Sequence, residues 1–60
     1  MSDEGWENLI RETIADLDAQ ETRALLEIAK HQGTTEVHFW EGKLEAYAFI
    51  LDKLRKMLGE

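Results

Sequence analysis

His38, Glu41 and Glu45 stand on neighbouring turns of one helical stretch, and they are the residues of this chain whose types and spacing come closest to chemistry. An imidazole beside carboxylates can ligate a metal or pass a proton, but either task needs convergent groups from at least one further element. No such partner has a recognisable spacing. Paired Glu-x-x-His motifs on facing helices are missing, and the two histidines, with no cysteine, fall short of a structural metal set. Ser2 is the only serine, no nucleophile–base pair stands out, and no glycine-rich phosphate loop occurs. The sequence therefore predicts a protein that is not an enzyme and needs no cofactor or metal. Arg11, Arg23 and Lys43 are the candidate contacts if a small anionic ligand such as a nucleotide binds in a pocket between subunits.

Apolar residues carry a stronger pattern. Val37, Trp40, Leu44, Tyr47, Leu51, Leu54 and Leu58 follow one another at alternating steps of three and four, the spacing of a helix that packs along its whole length. A second apolar line, Phe39, Gly42, Ala46 and Phe49, runs along another side of the same helix. A chain of 60 residues has too little other material to cover both. Glycine inside a helix costs about 1 kcal/mol relative to alanine. Gly42, one turn from Ala46, is expected to repay that cost by letting a second helix come close. The expected oligomer or partner interface is thus Phe39, Trp40, Gly42, Ala46, Tyr47, Phe49 and Ile50. Aromatic side chains bury large areas and recur at protein interfaces.

The elements that must position these residues are helices. There is no proline, few glycines interrupt the chain, and no period-two alternation is sustained. Ser2 is placed to cap a first helix that has Asp3 and Glu4 in its first turn. Trp6, Leu9, Ile10, Ile14 and Leu17 then recur at helical spacing. Asp18 to Glu21 has capping-box form, which favours a break near Asp18 over one rod reaching residue 31. Ala24, Leu25, Leu26, Ile28 and Ala29 are the expected apolar face of the following segment. Lys30 and His31 end it, Gly33 suits a left-handed C-cap, and Thr34 or Thr35 caps the last helix, about Glu36 to Leu58. Lys53, Arg55 and Lys56 suit the carbonyl end of that helix, and Gly59 and Glu60 are expected to fray. So short a connection makes the flanking helices an antiparallel hairpin.

The expected fold is all-α: one domain over residues 1–60, a helical hairpin with a third helix if the break is real, assembling into an oligomeric helix bundle. A domain this small buries only about 60% of its unfolded surface, and without disulfides or metal the remaining support is oligomerisation. A dimer is the simplest closed solution.

Thirteen acidic residues against seven basic give a net charge of −6. That disfavours direct nucleic-acid binding, which needs clustered cations, and it disfavours anionic membranes. The run Asp3, Glu4, Glu7, Glu12, Asp16, Asp18 and Glu21 fits a solvated helix face, or alternatively a nucleic-acid mimic that occupies a partner's binding surface. The longest apolar run, Ala46 to Leu51, is far below the roughly 20 residues of a membrane span, and no signal peptide is apparent. A cytoplasmic location follows as the expectation.

Residues 32–54, with Trp40, Gly42, Ala46 and Leu51 in order, resemble the second arm of small helical hairpins encoded by tailed phages. The resemblance implies an accessory role in the host cytoplasm, as an assembly factor or an inhibitor of a host enzyme or defence system, and brings no catalytic residue. The sequence as a whole thus predicts a non-enzymatic protein–protein interaction module that pairs with itself and with a protein partner.

Overall fold

The computed structural model describes residues 3–59, with side chains over 5–59. Ser2 and Glu60, and the side chains of Asp3 and Glu4, lie outside the described residues, and so do the readings placed on them. Two helices, α1 (Asp3–Lys30) and α2 (Glu36–Met57), form an antiparallel hairpin, and no strand occurs among the described residues.

α1 is one uninterrupted helix of 28 residues, so the break expected near Asp18 is absent. The reason lies in its own heptad. Ile10, Ile14, Leu17, Glu21, Ala24, Ile28 and His31 are all buried or half-buried, at alternating steps of four and three. The apolar stripe does not shift at Asp18, because Glu21 occupies the intervening inward position. Local bonds are helical too: the Thr22 hydroxyl donates to the Asp18 carbonyl at 3.1 Å, and the Asp18 carboxylate accepts from Arg55 on α2 instead of capping a new helix.

The turn between the helices spans residues 31–35. Gly33 adopts φ +82°, the left-handed conformation that ends a helix without a Cβ penalty. Thr34 ties back to α1: its backbone N–H and its hydroxyl both donate to the His31 carbonyl, at 3.0 and 2.7 Å. Thr35 takes the N-cap position of α2 but makes no side-chain capping bond. Side-chain contacts of His31 span the joint instead. His31 Nε2 lies 3.2 Å from Glu27 Oε2 and 3.4 Å from Glu36 Oε2, touching a carboxylate on each helix. At the far end, the Leu58 N–H donates to the Leu54 and Arg55 carbonyls and the Gly59 N–H to that of Lys56, with Gly59 at φ +82°.

The two heptads run in opposite directions from the turn. They bring to common levels His31 with Val37, Ile28 with Trp40, Ala24 with Leu44, Glu21 with Tyr47, Leu17 with Leu51, Ile14 with Leu54, and Ile10 with Leu58. The expected heptad of α2 is therefore the face against α1. Small Ala24 lets the helices approach at its level and is fully buried, and Leu51 is 1% exposed. A single seam is all the interior two helices can make. The Cα trace measures 49 × 15 × 15 Å, with a radius of gyration of 14.2 Å, against about 10 Å for a compact chain of this length.

Candidate protein-interaction site

Whatever the hairpin does not place on its seam faces outward. Trp6, Leu9, Leu25, Leu26, Phe39, Phe49, Ile50 and Met57 are all exposed, Phe49 at 65%. Sequence periodicity placed Trp6 and Leu9 among apolar residues at helical spacing, and Leu25, Leu26 and Ala29 on the apolar face of the following segment. They lie off the heptad of α1, and the structure leaves them outside. The surface totals 4598 Å², roughly 600 Å² above the value of about 4000 Å² that mass scaling gives a folded monomer of this size.

These residues are unevenly spread. In an antiparallel pair, the residues just before the seam positions of each helix share one side, and those just after share the other. The His31–Glu36 contact marks the first side and the Arg55–Asp18 bond, 3.2 Å, marks the second. On the first, α2 presents two adjoining rows, Lys43–Ile50–Met57 and Phe39–Ala46–Lys53, while α1 presents Trp6 and Leu9 near the open end of the hairpin. This is the lysine flank. The two lysines that α2 brings to it lean over aromatic rings: Lys43 Nζ sits 4.8 Å from the Phe39 centroid and 5.1 Å from that of Trp40, and Lys53 Nζ 5.3 Å from that of Phe49. Phe39 and Trp40 meet edge to face at 5.3 Å. The second side, the acidic flank, carries Glu41, Ala48, Glu45 and Asp52 on α2 with Asp18 and Leu25 on α1.

The expected interface residues divide accordingly. Trp40 and Tyr47 lie on the seam, half-buried against α1. Phe39, Ala46 and Ile50 are on the lysine flank. Gly42 and Phe49 form the outer ridge beside it, and a Cβ added at Gly42 would meet nothing within 4 Å. Met57, Trp6 and Leu9 belong to the same apolar flank and were not among the expected interface residues. The signal for them was the seven-residue spacing from Ile50 to Met57 and the heptad of α1 itself. No family model, curated protein or solved structure matches this chain.

The polar candidates converge less. Arg23 and Lys43 share the lysine flank, but Arg11 lies on the other side of α1, roughly 18 Å away along the axis at about 1.5 Å per residue. No cavity joins them among the described residues. His38 Nδ1 and Glu41 Oε1 are 3.3 Å apart and exposed. Among the described residues no three His, Asp or Glu side chains are grouped to hold a metal ion. The acidic run of α1 is scattered round the helix, with Glu21 turned to the seam and Asp18 bonded to Arg55. Among the described residues, no helix is long and apolar enough to cross a membrane.

Proposed function

We propose that this chain is a non-enzymatic protein–protein interaction module that works by packing its hairpin against further helices, a second copy of itself first. One observation carries the reading: large apolar side chains stand exposed along the rod, most of them on one flank, after the seam between the helices is complete. Association is the ordinary way to remove such a surface from water, at roughly 25 cal/mol per Å² of apolar area. The chain's small size supports the same reading, since one seam gives a 60-residue rod little interior of its own.

The resemblance of residues 32–54 to phage-encoded hairpins supports an accessory role within this reading, as an assembly factor or an inhibitor of a host protein. In either role the self-associated form is the working unit, and the surface left outside the bundle meets the partner.

Molar mass in solution, measured by light scattering on a sizing column over a range of concentrations, tests the proposal. The expected result is a stable multiple of 7.0 kDa. A folded chain that stays at that single mass at every concentration overturns self-association.

A further inference from the structure

We draw no further inference here: the strongest candidate, the exposed apolar patch of Trp6, Leu9, Phe39, Ile50 and Met57 on the lysine flank of the hairpin, carries nothing beyond the association proposed above, because nothing in the structure shows what covers it.

Discussion

The two flanks of this hairpin are built on the same seam and differ in what they offer. On the lysine flank, Phe39, Ala46, Ile50 and Met57 adjoin Trp6 and Leu9, and the cations among them fold onto aromatic rings. On the acidic flank, Glu41, Glu45 and Asp52 stand in the equivalent rows, and Arg55 is committed to Asp18. Neither helix alone produces the difference. α2 brings both an apolar row and an acidic row, and the antiparallel turn decides which rows of α1 stand beside each. A rod two helices thick is thereby made one-sided, with a surface suited to burial and another suited to water.

Breaking the seam should erase both flanks at once, and this is the largest effect expected. Leu51 is 1% exposed at mid-seam. Leu51→Ala should cost about 2–5 kcal/mol, enough to melt a hairpin with so small a core, and far-ultraviolet circular dichroism checks it through loss of helix signal. The next test sets the flanks against each other. Ile50→Glu introduces a charge on the lysine flank and should weaken association by about 2–4 kcal/mol, as truncated hot spots do. Ala48→Glu makes a comparable change on the acidic flank and should leave molar mass by light scattering as it was. Equal loss from both variants would remove the distinction between the flanks.

Gly42 sharpens the boundary of the lysine flank. It sits on the outer ridge with open space where a Cβ would go. In the hairpin alone, Gly42→Ala should add about 0.5–1 kcal/mol through helix propensity, a rise in Tm of about 2–8 °C for a domain of this size. A fall in Tm at concentrations where the protein is associated would instead place a second backbone against Gly42, as its spacing from Ala46 suggests.

The hairpin was legible because its signals are local. Gly33 ends α1, Glu36 opens α2, and the heptad from Val37 to Leu58 marks the seam. The continuity of α1 was hidden by Asp18 and Glu21, whose types imitate a capping box. What keeps the helix whole is its pairing with α2: Glu21 takes the seam position between Leu17 and Ala24, and the Asp18 carboxylate is taken by Arg55, 37 positions further on. The site was legible only in part for a similar reason. Phe39, Ala46 and Ile50 read as outward because α2 has two apolar sides. Trp6 and Leu9 read only as apolar residues at helical spacing, which carry no mark of which side the partner helix will take. That choice belongs to the pairing of two heptads, and the heptad of α1 includes Glu21 and His31, residues that a hydrophobic pattern passes over.

The pair that hides the break is also the smallest effect expected. Arg55 Nη2 and Asp18 Oδ1 are 3.2 Å apart, with side chains 45% and 48% exposed. Water screens a pair so placed, and ordering two long side chains offsets much of the attraction, so Arg55→Ala should cost about 0.2–1 kcal/mol by chemical denaturation. Comparison with the joint at the other end is informative. His31 touches Glu27 and Glu36 at once, and although Glu36 is 66% exposed, the His31–Glu27 contact, at 32% and 17%, is better shielded than the Arg55 pair. His31→Ala should therefore destabilise the hairpin more than Arg55→Ala, although both remove one cross-helix polar contact. If Arg55→Ala proves the costlier, the Asp18 carboxylate is holding α1 straight as well as pairing charge. The acidic flank would then contribute to the fold itself, while the lysine flank contributes to what the fold binds.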